Sequence, residues 1–194
     1  MRKILLILGH PGEHSFCGAL LKAYGEGAWQ AGAEVREICV GRLSFDPNLS
    51  ERYARREGSA LEPDLQRVQE HLRWADHLVL AYPTWWGSMP ALLKGLLDRV
   101  LLPGFAFRHH AGRRFPERLL RGKSARVLVT MDAPKWWFYL VYGAAQYRVL
   151  RQLVLGYCGI RPVRFSTFGG LRRTTPAQRQ RWVAEAERLG RQGK

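Results

Sequence analysis

The chain has 194 residues, 46% of them hydrophobic, which bounds one globular domain with a core of its own. Lys and Arg number 31 against 16 Asp and Glu, a formal net charge of +15; that balance favours anionic partners such as nucleic acid, phosphorylated cofactors or anionic lipid, without choosing among them. Cys17, Cys39 and Cys158 are odd in number and hold no C-x-x-C spacing, so they argue against a disulfide framework or zinc site and fit a reducing compartment.

Ile4–Leu8 is a continuous apolar run, the mark of a strand buried on both faces. It is too short for the core of a signal peptide, and Gly9-His10-Pro11 is no cleavage site. No run approaches the ~20 apolar residues of a membrane span. The expectation is a cytoplasmic protein with no integral membrane segment. Phe16 to Trp29 reads as a helix, with Leu20, Ala23, Tyr24 and Ala28 on one stripe and Gly32 at its end. Glu34–Val40 is a second strand, polar enough for a sheet edge. Gly41 to Glu62 is the least regular stretch, expected as a loop with a short helix; it holds FDPNLS and the charged run ERYARREG.

Pro63 to Trp74 reads as a helix with proline in its first turn. Asp76–Tyr82 is a third strand. Pro90 to Leu102 is helical, with Ser88 as its expected N-cap. Leu101 to Arg121 is a long connection, Lys123–Thr130 a fourth strand, Trp136 to Tyr157 mostly helix, and Ile160–Thr167 a fifth strand. The last helix is capped by Thr175, has Pro176 at N1, and carries Trp182, Ala186 and Leu189 as its apolar stripe. Five short strands alternating with helices predict an α/β domain, a parallel sheet covered on both faces. Ligands then bind at the carboxyl ends of the strands, where the winding changes direction. That singles out Gly9–Cys17, Pro83–Gly87 and Met131–Trp137.

The first of these, GHPGEHSFC, lacks the glycine spacing of a dinucleotide fold and the G-x-x-x-x-G-K-[ST] of a nucleotide triphosphatase. It offers His10, His14, Ser15 and a helix start, and no Lys or Arg from Gly9 to Leu21. A phosphate held there would rely on backbone N–H groups, the Ser15 hydroxyl, imidazole and the helix dipole. Ser15 reads equally as a plain N-cap and His10 as a turn residue.

The three loops together resemble the flavodoxin-like NAD(P)H:quinone oxidoreductases. GHP..HSFC.AL is similar to the family's His-Pro…Ser-Phe-Asn loop, FDPNLS to its Phe-Asp-Pro-x-Leu-Ser, and ADHLVLAYPTWWGSMPALLKGLLDRVLLPGFAF to its most distinctive segment. The match runs from Ile4 to about Thr130. The resemblance implies a doubly wound five-stranded sheet in the order 2-1-3-4-5 with helices on both faces. It implies FMN in a chain this short, FAD belonging to longer relatives, and a homodimer with the flavin near its interface. The implied reaction is ping-pong: hydride from NAD(P)H to flavin, then two electrons to a quinone or similar small-molecule acceptor. By the same resemblance His10, Ser15, Phe16 and Cys17 match the phosphate and ribityl loop, Pro83, Thr84, Trp85 and Trp86 the isoalloxazine loop, and Met131 and Asp132 the third loop. Cys17 departs from the usual Asn, and TMDAPKWWF departs from Thr-Thr-Gly-Gly. The family's Tyr and His near the hydride-transfer position have no clear counterpart, so no catalytic acid is named.

A flavin needs apolar cover for its ring faces and backbone donors for its polar edge. A turn after a buried strand aims several N–H groups one way, and Trp85 and Trp86 supply the wall. Phe107, Trp136 and Trp137 are the candidates for the acceptor side; core or dimer contact is the plainer reading of each. Lys94 and Asp98 stand at i,i+4, a solvated helix pair by default. His109 and His110 lie in a basic loop without further ligands at metal spacing. A second reading is an ancillary flavoprotein subunit with a peripheral contact on a potassium-efflux transporter, as some relatives are. Nucleic-acid binding rests on charge alone, with no recognisable binding motif, and is not expected.

Overall fold

A computed structural model describes residues 1–49 and 61–193. The charged run at 51–58, with the short helix expected near it, lies outside the described residues. The strands are β1 (Lys3–Leu8), β2 (Glu34–Cys39), β3 (His77–Pro83), β4 (Phe107–Arg108), β5 (Glu117–Arg118), β6 (Ser124–Met131) and β7 (Val163–Gly169). The helices are α1 (Phe16–Gln30), α2 (Pro63–Trp74), α3 (Ala91–Val100), α4 (Lys135–Leu140), α5 (Ala145–Arg148), α6 (Gly156–Cys158) and α7 (Pro176–Arg191).

Five strands form one parallel sheet in the order β2-β1-β3-β6-β7, which is 2-1-3-4-5 once the small β4–β5 ribbon is set aside. The continuous apolar runs explain themselves here. Along β1, Leu5 and Ile7 enter one core while Ile4, Leu6 and Leu8 enter the other, and none is more than 3% exposed. The first core takes α2, α3 and the segment from Phe138 to Cys158; the second takes α1 and α7. The two helices of the second layer touch through glycine. A Cβ on Gly27 would meet the Glu187 carbonyl at 2.1 Å, and one on Gly190 the Tyr24 carbonyl at 2.0 Å. The more polar β2 lies at the sheet edge, as its charges require.

Four local features differ from expectation. Ser88 does not cap α3: Pro90 occupies the N-cap position and makes no side-chain cap. The connection from Leu101 to Arg121 contains the antiparallel β4–β5 ribbon. The long helix expected from Trp136 is broken after α4 by Gly143 and Ala144, both left-handed with φ of 56° and 47°. Beyond α5 it continues as a wide π turn, Val149–Leu155. The last strand of the sheet, β7, starts at Val163 rather than Ile160, after Pro162, which has no N–H to give the ladder.

Candidate functional site

The chain turns back at β1: β2 pairs on one side of it and β3 on the other. Their diverging connections leave a crevice at the strand ends, the place where such sheets bind ligands. There the structure forms a cleft of about 220 Å³. His10, Ser15, Phe16 and Cys17 line it from the loop after β1, Pro83, Thr84 and Trp85 from the end of β3, and Met131 and Asp132 from the end of β6. Thr130 and Leu171 also line it, and sequence reasoning missed both. Thr130 adjoins the expected Met131, and Leu171 follows Gly169-Gly170 beyond the last strand.

Ser15 is the N-cap of α1: its backbone is extended and its Oγ accepts from the Gly18 amide at 3.2 Å. Its hydroxyl proton is thereby left for a ligand. Helix geometry leaves the amides of Phe16 and Cys17 without an intrahelical acceptor, and the helix dipole is positive at this end. The first turn of α1 carries no acidic side chain to oppose an anion. His10 is fixed on its own loop, with Nδ1 2.7 Å from the Gly12 carbonyl oxygen, and its ring meets Trp85 edge-on at 5.6 Å. An Arg42–Glu13 ion pair ties the loop to the end of β2.

The second loop is a tight hairpin. Trp85 and Ser88 exchange backbone bonds of 2.9 and 3.0 Å, and Trp86 and Gly87 between them have φ of 50° and 77°. Both central residues are left-handed, as a mirror-image two-residue turn requires. The Thr84 amide donates to Thr130 at 2.7 Å. The amides of Thr84 and Trp85 are therefore already engaged within the protein. Trp85 is 45% exposed and lines the cleft, whereas Trp86 is fully exposed and does not.

In the third loop Met131 is buried, and Asp132 reaches the surface, where Arg172 Nε donates to its carboxylate at 2.9 Å. The close backbone approach in this region falls on Gly169, where a Cβ would meet the Ala133 carbonyl at 2.9 Å. Cys17 Sγ lies 3.1 Å from Thr130 Oγ1, joining the first loop to the third. Burial pushes the Cys17 thiol up to about 11, with the Thr130 bond acting the other way.

The three remaining aromatic candidates stay outside this cleft. Phe107 packs edge-to-face on Tyr157 at 5.1 Å. Trp136 and Trp137 lie on α4, meet each other edge-to-face at 5.4 Å and are 59% and 40% exposed. Lys94 and Asp98 form a surface pair at 2.7 Å. His110 bonds Glu117 at 2.8 Å. Among the described residues no group of three or more His, Cys, Asp and Glu is placed to hold a metal, and no helix is long and apolar enough to cross a membrane. A second groove of about 840 Å³ lies beyond Ser15, lined by acids and bases together: Glu13 and Glu37 with Lys22, Arg42 and Arg67. The smaller cleft joins the helix start to apolar walls at the turn in the winding.

A doubly wound parallel sheet with such a cleft defines the class of α/β domains that bind ligands at the carboxyl ends of their strands, at the switch point. The chain belongs to the family described as having a flavodoxin-like fold, whose pattern matches residues 2–191. It is similar to a Haemophilus influenzae protein described as an uncharacterized NAD(P)H oxidoreductase, 30% identical over 171 residues, or 86% of this chain and 83% of that one. The structure of an NAD(P)H:quinone oxidoreductase from Methanothermobacter marburgensis aligns with a TM-score of 0.83 at 28% identity, covering 100% of this chain and 99% of that one. NAD(P)H dehydrogenase [quinone] 1 of Rattus norvegicus is 31% identical over 126 residues, 55% of this chain. That match spans only 46% of the rat protein.

Proposed function

We propose that this chain is a cytoplasmic, FMN-dependent NAD(P)H oxidoreductase that delivers two electrons to a quinone or similar electrophilic acceptor. The observation that carries the reading is the meeting, in one cleft, of the α1 N-terminus with the Trp85 turn and the buried end of β6. The relatives described as NAD(P)H and quinone oxidoreductases support it.

The residues present fit a flavin mononucleotide. The Phe16 and Cys17 amides and the Ser15 hydroxyl suit a phosphate, and the helix dipole offsets its charge without a lysine or arginine in the lining. Phe16, Trp85, Met131 and Leu171 offer apolar cover to a flat ring. When bound, the flavin supplies the hydride chemistry, accepting from NAD(P)H and giving to the acceptor. The protein would hold the ring over the strand ends with Trp85 and Met131 excluding water, and burial keeps the Cys17 thiol in the lining protonated.

The cleft is small and open for a cofactor site of a few hundred Å³. Trp136, Leu140 and Tyr142, exposed by 59, 79 and 57%, lie on and just beyond α4, and with the exposed Trp86 of the hairpin they are apolar side chains suited to a second copy of the chain. A homodimer would complete the site and supply the slot in which nicotinamide and acceptor take turns. One slot used twice makes the reaction ping-pong. Steady-state rates with NADH and a benzoquinone varied together should give parallel double-reciprocal lines. Intersecting lines would contradict the single shared slot.

A further inference from the structure

We propose that Gln146 is a positioning residue for the cleft: it holds the Thr84 hydroxyl so that the Thr84 proton is free for the flavin. This rests on reading the cleft as a flavin site.

Gln146 lies on α5, is only 7% exposed, and donates from Nε2 to Thr84 Oγ1 at 2.8 Å. A threonine hydroxyl has one proton and two acceptor positions. Since its oxygen already accepts from Gln146, its proton is left to donate elsewhere, and Thr84 lines the cleft. The Thr84 backbone is fixed as well, through its amide bond to the Thr130 carbonyl.

Two local costs converge on this contact. The Gln146 Oε1 is buried and finds no hydrogen-bond partner among the described residues. A buried unpaired carbonyl costs more than one neutral hydrogen bond returns. In addition, α5 is entered through Ala144 at φ 47°, a left-handed conformation that a residue with a Cβ adopts at a penalty. The next residue anchors the segment: Tyr147 bonds Thr167 at 2.7 Å and stacks on Phe165 at 4.1 Å. Packing alone would be served as well by an apolar side chain at 146. What the amide adds is control of the hydroxyl of a cleft-lining residue.

A hydroxyl proton at the ring edge stabilises the extra negative charge of reduced flavin relative to the oxidised form. The test measures the two-electron midpoint potential of bound FMN and the thermal midpoint of the protein in Gln146→Met, Thr84→Val, Thr84→Ser and the Gln146→Met/Thr84→Val double variant. Gln146→Met should weaken binding of reduced FMN about tenfold relative to oxidised FMN, a fall of about 30 mV for a two-electron couple. Its thermal midpoint should stay level or rise. Thr84→Val should give a similar fall, Thr84→Ser should retain the parent potential, and the double variant should fall no further than either single one. An unchanged potential in Gln146→Met or Thr84→Val, or additive shifts in the double variant, overturns the positioning role while leaving the flavin site standing. If Gln146→Met does not fold, packing at 146 is essential and the positioning role is likewise overturned. Failure of the parent protein to take up FMN at all removes both proposals.

Discussion

Cys17 and Thr130 are 113 residues apart in the chain, yet Sγ of one lies 3.1 Å from Oγ1 of the other. The contact closes the loop after β1 onto the end of β6 across the floor of the cleft. It also defines the chemistry of the cysteine. Burial holds its pKa up at about 11, so at neutral pH the side chain is a thiol and a poor nucleophile. Cys158 is likewise buried and held at about 11, while Cys39 is partly exposed. A disulfide reagent at pH 8 should therefore label Cys39 in the folded protein and reach Cys17 and Cys158 only after denaturation, as mapped by peptide mass. Rapid labelling of Cys17 in the native state would mean an open first loop.

Gly41 stands far from the cleft in sequence but under its first loop. A Cβ there would meet the Pro11 carbonyl oxygen at 2.0 Å, a backbone atom that can yield only by moving the loop. Gly41→Ala should cost roughly 1–3 kcal/mol in urea unfolding. It should also weaken FMN uptake at least tenfold, because His10 and Ser15 ride on that loop. A variant with parent stability and parent affinity would show that the loop does not need this contact.

Trp86 occupies a left-handed position that asparagine or glycine fills at little penalty. Trp86→Asn, ahead of Gly87, should raise folding stability by about 1 kcal/mol in dilute protein. The same change should lower NAD(P)H-dependent turnover and weaken self-association, since the exposed indole is proposed to meet the second copy. Equilibrium sedimentation and steady-state rates read the two effects separately.

His77 bonds Tyr24 and Ser124 at 2 % exposure. Burial, with Arg2, Arg126 and Arg164 adding to it, pushes its pKa down from 6.5 to about 3. Between those values the unfolded chain binds a proton that the folded chain refuses, so stability rises with pH and is lost as pH falls from 6.5 toward 3. At about 1.4 kcal/mol per pKa unit, this group contributes on the order of a few kcal/mol of acid sensitivity. His77→Gln should flatten the stability profile below pH 6.5 in urea titrations. A profile as steep as the parent's would place the acid-sensitive group elsewhere.

The strands and their covered faces were legible because burial writes itself into sequence, whereas the sheet order 2-1-3-4-5 was implied by the resemblance of the loop motifs. Both faces of β1 and β3 are covered, so they read as unbroken apolar runs ending at His10 and Thr84. The less legible parts depend on contacts between distant residues. Ser88 looks like a cap by its spacing from Ala91, but its backbone is engaged by Trp85 in the hairpin. The break at Gly143 and Ala144 is invisible to helical periodicity, since Ala144 is a good helix former forced into a left-handed turn. Gln146 carried no sequence signal because its partner, Thr84, lies 62 residues earlier. Trp85 and Trp86 read alike in sequence; the hairpin turns one toward the cleft and the other outward.

The central claim is that the cleft between His10, Thr84 and Met131 holds a redox-active FMN. The most direct measurement is the visible spectrum of the purified protein, supplemented with FMN and gel-filtered, before and after NADH or NADPH is added without oxygen. Retained flavin absorbance near 450 nm, on the order of one flavin per chain, that bleaches with NAD(P)H and returns on adding a quinone is the expected result. A colourless protein that takes up no FMN, or a bound flavin that NAD(P)H leaves oxidised, would contradict it.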